Sequence, residues 1–114
     1  MIRSYKDLEV YEKSYHLAMK IFEIAKNFPK EEVYSLSSQV VRSSRSISSN
    51  IVEGWAKREY ENIFKQQLIV ALGSNMETEN WLRFALDCQY LSNDEFQKLT
   101  AETESISKMI YKLH

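Results

Sequence analysis

The chain has 114 residues, a formal net charge of −1, and only two glycines, one proline and one cysteine. That length suits one domain with a modest core, spanning residues 1–114, and so few turn formers exclude a sheet-rich fold and require long helices. Fifteen basic residues against sixteen acidic ones, evenly spread, exclude the bulk positive field of a dedicated DNA-binding domain, and a lone cysteine excludes an internal disulfide.

The first helix is predicted from about Asp7 to Asn27. Pro29 disfavours helix in the residue before it and suits the start of the next, as do Glu31 and Glu32. This helix carries two apolar stripes. Leu8, Tyr11, Tyr15, Ala18, Met19 and Phe22 form one, and Val10, Leu17, Ile21, Ile24 and Phe28 form another, about 130° round the axis. One stripe is enough to join a small bundle, so the second needs a further partner, either within the bundle or on another subunit.

The second helix is predicted from about Glu31. It runs through Arg-Ser-Ser-Arg-Ser-Ile-Ser-Ser-Asn-Ile-Val-Glu-Gly at residues 42–54. Serine is only a fair helix former. Yet Val33, Leu36, Val40, Ser44, Ile47, Ile51 and Trp55 recur every three or four residues, which marks a continuous helix and not a linker. Ser44 and Gly54 are then small inward residues that let a neighbouring helix come close. Arg42 and Arg45 point away from the core. The third helix, about Glu59 to Tyr90, places Tyr60, Phe64, Gln67, Leu68, Ala71, Thr78, Leu82, Ala85 and Leu86 on one face. A neighbouring face carries Ile63, Val70, Trp81, Phe84 and Cys88. Gly73 interrupts it at a cost of about 1 kcal/mol relative to Ala, and close approach of another helix is the expected reason. Ser92-Asn93-Asp94-Glu95 reads as a capping box opening a fourth helix, with a single seam of Phe96, Leu99, Thr103, Ile106, Ile110 and Leu113. Short connections make this an all-α, antiparallel up-down-up-down four-helix bundle.

The residues offer little catalytic chemistry. Di-iron bundles need Glu-x-x-His pairs, and neither His16 nor His114 has Glu three positions before it, so no metal and no cofactor are expected. The serines have no histidine near in sequence, and Cys88 lies among apolar residues and reads as core. Asn50, Glu53, Ser74, Asn75, Glu77 and Glu79 sit in or beside apolar faces. They read as a polar network that fixes helix register or seals an interface, with a catalytic carboxylate pair as the alternative. For nucleic acid the candidates are Arg42, Arg45, Lys57 and Arg58, near Trp55 and Tyr60: exposed cations for phosphates and rings for bases, with plain solvated surface charge as the alternative. No stretch approaches a membrane span, and no apolar signal core opens the chain, so the expected setting is the cytoplasm.

Several segments resemble one family closely. They are Asp7-Leu8-Glu9-Val10-Tyr11, Phe28-Pro29-Lys30-Glu31-Glu32, Ser38-Gln39 with Arg42, Ser46-Ile47, Ser49-Asn50-Ile51 and Glu53-Gly54. Ala71-Leu72-Gly73-Ser74 with Glu77 and Glu79 completes the set. Together they resemble the four-helix-bundle proteins encoded by intervening sequences in bacterial 23S ribosomal RNA genes, over nearly the whole chain. Ser48 stands where that family usually has proline. The resemblance implies a ring-shaped homopentamer with no known catalytic activity. It also implies kinship with the accessory variability determinant of diversity-generating retroelements, a pentamer that binds nucleic acid and a reverse transcriptase. The expected function is therefore a non-enzymatic homo-oligomer that binds RNA or a nucleic-acid-processing partner. The alternatives are a protein–protein scaffold without nucleic acid and, behind both, an enzyme using Glu53, Glu77 or Glu79.

Overall fold

A computed structural model describes residues 1–114. Four helices follow one another: α1 (Glu9–Ala25), α2 (Leu36–Ala56), α3 (Glu61–Asp87) and α4 (Asn93–Leu113). Short 3₁₀ turns stand at Tyr5–Asp7 and Lys30–Glu32. The helices pack in sequence as α1 on α2, α2 on α3 and α3 on α4, and a leaner contact between α1 and α4 closes the bundle. This is the expected all-α, up-down-up-down arrangement. No packing joins α1 to α3, so these two helices stand diagonally across the bundle.

Local chemistry sets where each helix begins and ends, and corrects the predicted bounds. Helix α1 starts at Glu9 and not Asp7 because the Asp7 carboxylate turns back to accept the Arg3 and Ser4 backbone N–H groups at 2.8 and 3.2 Å. Helix α2 starts at Leu36, five residues later than predicted, because Lys30–Glu32 wind as a 3₁₀ turn instead. Helix α3 stops at Asp87 in a Schellman closure. Tyr90 N–H bonds the Ala85 carbonyl at 2.8 Å and Gln89 N–H bonds that of Leu86 at 2.9 Å. Gln89 adopts φ 65°, a conformation that ordinarily falls to glycine, so the stop carried no glycine signal. The predicted capping box is present in full at α4: Ser92 Oγ accepts Glu95 N–H at 3.0 Å, and Glu95 Oε1 accepts Ser92 N–H at 2.8 Å.

The core is one cluster of 18 buried apolar residues, centred on Leu17, Ile21, Val40, Ile47, Ile51, Leu68, Leu82, Ile106 and Ile110. The serine run of α2 lies within the helix as its apolar periodicity requires. Leu36, Val40, Ser43, Ser44, Ile47, Ile51 and Gly54 are buried, with Trp55 half-buried. Val33 precedes the helix and is exposed. Buried serines survive because their hydroxyls bond one turn back, Ser43 to the Val40 carbonyl at 3.3 Å and Ser44 to that of Val41 at 3.0 Å. At Gly54 α2 meets α3 tightly: a Cβ there would lie 3.1 Å from Gln67 Cβ and 3.5 Å from Phe64 Cδ1.

Besides Val33, other inward expectations fail, among them Leu113 at the end of the α4 seam, which is exposed. Gly73 is exposed, with no atom within 4 Å of where its Cβ would sit, so no helix of the same chain explains it. Cys88 is exposed because the chain leaves the helix at Asp87, one residue before it. Tyr60 precedes α3 and is exposed, outside the face it was predicted to join.

At the head of α2 a carboxylate stands in for the missing side-chain cap. Glu32 Oε1 accepts the Ser35 hydroxyl at 2.6 Å and Leu36 N–H at 3.3 Å, and Glu32 Oε2 accepts the Tyr90 hydroxyl at 2.9 Å. This latch ties α2's head to the turn after α3. The Ser35 and Tyr90 bonds, with the Leu36 amide, hold the Glu32 carboxyl below its ordinary range against its desolvation. Its bond to Glu32 holds the Tyr90 hydroxyl above its own.

Two stability measurements check this packing. Gly54→Val forces a branched side chain onto Gln67, and urea unfolding is expected to report a loss of about 1–3 kcal/mol. Ser49→Val, on the exposed side of the same helix, stays within about 0.5 kcal/mol of wild type. For the latch, the folded pKa of Glu32 lies below the unfolded one. Its contribution is therefore complete above the ordinary carboxyl range of about 4.3 and is lost as pH falls through the folded value. Glu32→Gln is expected to unfold at lower urea than wild type at neutral pH, with the gap closing as the pH is taken below about 4.

Candidate nucleic-acid interface and polar seam

The four cations singled out in the sequence do not form one patch. Arg42 and Arg45 project from the outer face of α2 near its middle, both exposed. Lys57 and Arg58 follow the C-terminal end of α2, about 20 Å away by the rise of 1.5 Å over the thirteen residues from Arg42 to Trp55. There Arg58 lies 4.1 Å from the Trp55 ring centroid, and its Nη1 donates to the Trp55 carbonyl at 2.9 Å. Both cations sit where the helix dipole is negative.

Arg42 and Arg45 instead join residues of α1 and the turn after it. A groove of about 480 Å³ runs between α1 and α2, with Phe22, Phe28 and Val41 among its apolar lining and Lys26, Lys30, Arg42 and Arg45 around it. Lys26 Nζ stands 4.5 Å, and Arg45 Cζ 5.2 Å, from the Phe22 ring centroid. A larger groove of about 880 Å³ between α1 and α4 has mixed charge and is bridged by Lys20 and Glu102 at 3.0 Å.

The polar candidates form a seam along α2 and α3. Gln67 Nε2 donates to Asn50 Oδ1 at 2.7 Å and to Glu53 Oε2 at 3.1 Å. Asn50 Nδ2 donates to the Ser46 carbonyl at 2.8 Å and to Ser46 Oγ at 3.0 Å, and Ser46 and Ser74 hydroxyls pair at 2.8 Å. Thr78 Oγ1 lies 2.8 Å from the Ser74 carbonyl and 2.9 Å from Ser43 Oγ. A second cluster joins α3 to α4. Asn75 Nδ2 donates to the Thr103 carbonyl and to Ser107 Oγ at 2.7 and 2.9 Å, and Thr103 Oγ1 donates to Glu79 Oε2 at 2.7 Å. Gln67, Thr78 and Thr103, the links of both clusters, were read in the sequence only as members of apolar stripes.

The three carboxylates do not converge. Glu53 accepts from Gln67, Glu77 from Trp81 Nε1 at 3.1 Å, and Glu79 from Thr103. Glu77 and Glu79 stand about 200° apart round α3. No group of three or more His, Cys, Asp or Glu side chains is placed to hold a metal ion, and no helix is long and apolar enough to cross a membrane.

The second stripe of α3 lies largely bare, and the stripe of α1 that runs from Leu8 to Phe22 is bare only in part, with Leu8 and Ala18 buried and Tyr11 and Phe22 half-buried. On α1, Tyr15 and Met19 are more than two-fifths exposed. Tyr11 beside them rests its ring 4.8 Å from Tyr5 and 6.0 Å from Tyr15. Partial burial, with Tyr5, Glu12 and Tyr15 nearby, holds its hydroxyl above the ordinary range. On α3, Ile63, Val70 and Phe84 are 46%, 44% and 52% exposed. Met76 is also exposed, and Gly73 lies bare between Val70 and Met76.

Comparison with known proteins places this architecture. A crystal structure of a Bacteroides thetaiotaomicron protein of unknown function from the S23 ribosomal protein family superposes with a TM-score of 0.83. It is 26% identical, and the alignment covers 91% of this chain and 96% of that one. No curated protein matches the sequence. The sequence profile of the 23S rRNA-intervening sequence proteins matches residues 6–112, nearly the whole chain, with α1 to α3 complete and all but the last residue of α4. The chain therefore belongs to the 23S rRNA-intervening sequence protein family.

Proposed function

We propose that this protein is a non-enzymatic subunit of a homo-oligomer that offers its cations to RNA or to a nucleic-acid-processing partner. The observation that carries the assembly reading is the apolar surface left uncovered on α1 and α3. A bundle buries one stripe per helix; α3 carries a second, with Ile63, Val70 and Phe84, that nothing in the chain covers, and α1 leaves Tyr15 and Met19 of its other stripe uncovered. Because α1 and α3 are diagonal, the stripes look away from each other. A single copy therefore cannot shield both by folding alone. If the α3 stripe of one copy meets the α1 stripe of the next, the contact is heterologous, and such contacts form a ring where the rotation between copies closes. The count of five rests on the family resemblance. Gly73, idle within the subunit, gives the α3 stripe a bare stretch of backbone that a neighbour can approach closely.

In this reading Arg42 and Arg45 supply phosphate contacts, repeated around the assembly, and Lys57 and Arg58 add positive field at the end of α2. The charge balance of the chain and the Arg58–Trp55 stack favour the second reading, a protein–protein scaffold with no nucleic-acid role.

Light scattering on Val70→Glu tests the assembly. Val70 is exposed within the subunit, so the bundle keeps its helicity while the mass falls toward the 13.5 kDa of one chain. A mass unchanged from wild type would exclude the α3 stripe from the contact. The ratio of absorbance at 260 to 280 nm before and after nuclease separates the two readings: a drop marks bound nucleic acid, and a constant, protein-like ratio favours the scaffold.

A further inference from the structure

The α1–α2 groove is unlike the rest of the surface in charge. The whole chain carries 15 basic and 16 acidic residues, yet this groove is lined by Lys26, Lys30, Arg42 and Arg45 and by no acidic residue. The nearby carboxylates leave most of that charge unanswered. Glu23 pairs with Lys26 alone, at 3.3 Å, and Glu32 is committed to Ser35, Leu36 and Tyr90. Lys30, Arg42 and Arg45 have no acidic partner within salt-bridge distance. Concentrated, unpaired cations at the surface of a near-neutral protein are an electrostatic footprint for an anion with several charges.

The groove also holds aromatic surface. Tyr34 stands on its rim, 96% exposed, with a hydroxyl that meets no protein group. The Phe22 ring lies beneath Lys26 and Arg45. The Ser37 hydroxyl in the wall is shut off from solvent with no hydrogen-bond partner in the chain. Cations in a track beside an open ring suit a strand whose bases are unstacked. A duplex hides its base faces and leaves none free to stack on an exposed ring.

We infer that this groove seats a single-stranded nucleic acid, with its phosphates on Lys26, Lys30, Arg42 and Arg45 and one base stacked on Tyr34. The inference deepens the nucleic-acid reading above and rests on it. It moves the site to residues of α1 and the following turn that the sequence did not single out, and it leaves Lys57 and Arg58 outside.

Fluorescence anisotropy with a labelled oligouridine of about 12 nucleotides tests it on the full chain, at about 50 and about 200 mM salt. Four phosphate contacts predict a slope of log affinity on log salt of roughly −3. The combined Lys30→Ala, Arg42→Ala and Arg45→Ala variant is expected to flatten that slope to about −1. Tyr34→Ala, a change at an exposed residue that leaves the fold intact, weakens binding about tenfold at unchanged slope. Lys57→Ala with Arg58→Ala stays within about twofold of wild type, and an RNA duplex of the same length competes poorly. Binding that survives the groove variant but is lost with Lys57 and Arg58 overturns this site while keeping the nucleic-acid reading. No binding at about 50 mM salt removes both. Equal competition by an acidic peptide, or no effect of Tyr34→Ala, reduces the groove to a general polyanion patch and overturns the base contact.

Discussion

At Gly54 the second and third helices approach until an added methyl group would sit 3.1 Å from Gln67 Cβ. The orientation of the whole third helix follows from that contact and the polar seam beside it. Gln67 is held by Asn50 and Glu53, and Thr78, three turns further along, stands against Ser43. Two anchors that far apart on one helix fix its rotation as well as its position. With Leu68, Ala71, Asn75, Thr78, Leu82 and Ala85 turned inward, Ile63, Val70 and Phe84 must face out. The uncovered apolar surface is thus a consequence of how the core is satisfied. The same seam explains a serine-rich helix: small side chains allow the close approach, and their hydroxyls are quieted by carbonyls one turn back.

Much of this was legible in the residues. Three-four spacing identified all four helices, including the one through the serine run, because branched apolar residues at regular intervals outweigh weak local propensity. The capping box at Ser92 was legible because it is a local exchange of two bonds within four residues. Other features are non-local and carry no pattern. The Glu32–Tyr90 latch joins residues 58 apart. The Schellman stop at Gln89 lacks the glycine that usually announces one. That missed stop also put Cys88 in the wrong environment. Gly73 reads in the sequence as a point of close helix approach, and no helix of the chain comes near it.

The candidate site was legible in part for the same reason. A sequence shows which cations share a helix face, so Arg42 and Arg45 were placed together. It does not show that the end of α1 and the turn after it bring Lys26 and Lys30 to that face, nor that Lys57 and Arg58 lie about 20 Å off. The polar network was found at its ends, Asn50, Glu53, Ser74 and Glu79. Its links were hidden inside stripes that also serve as core. Family membership adds the fold and leaves the chemistry to these surfaces: two apolar stripes facing apart, and a cationic groove lying between two neighbouring helices.

Sedimentation velocity of the unmodified protein across a wide concentration range tests the central claim most directly, since it asks whether bare stripes on diagonal helices are tolerated in water. A single multimeric boundary that persists on dilution is the predicted result. A lone 13.5 kDa species at every concentration would contradict it, because both stripes would then be stable in solvent without a partner.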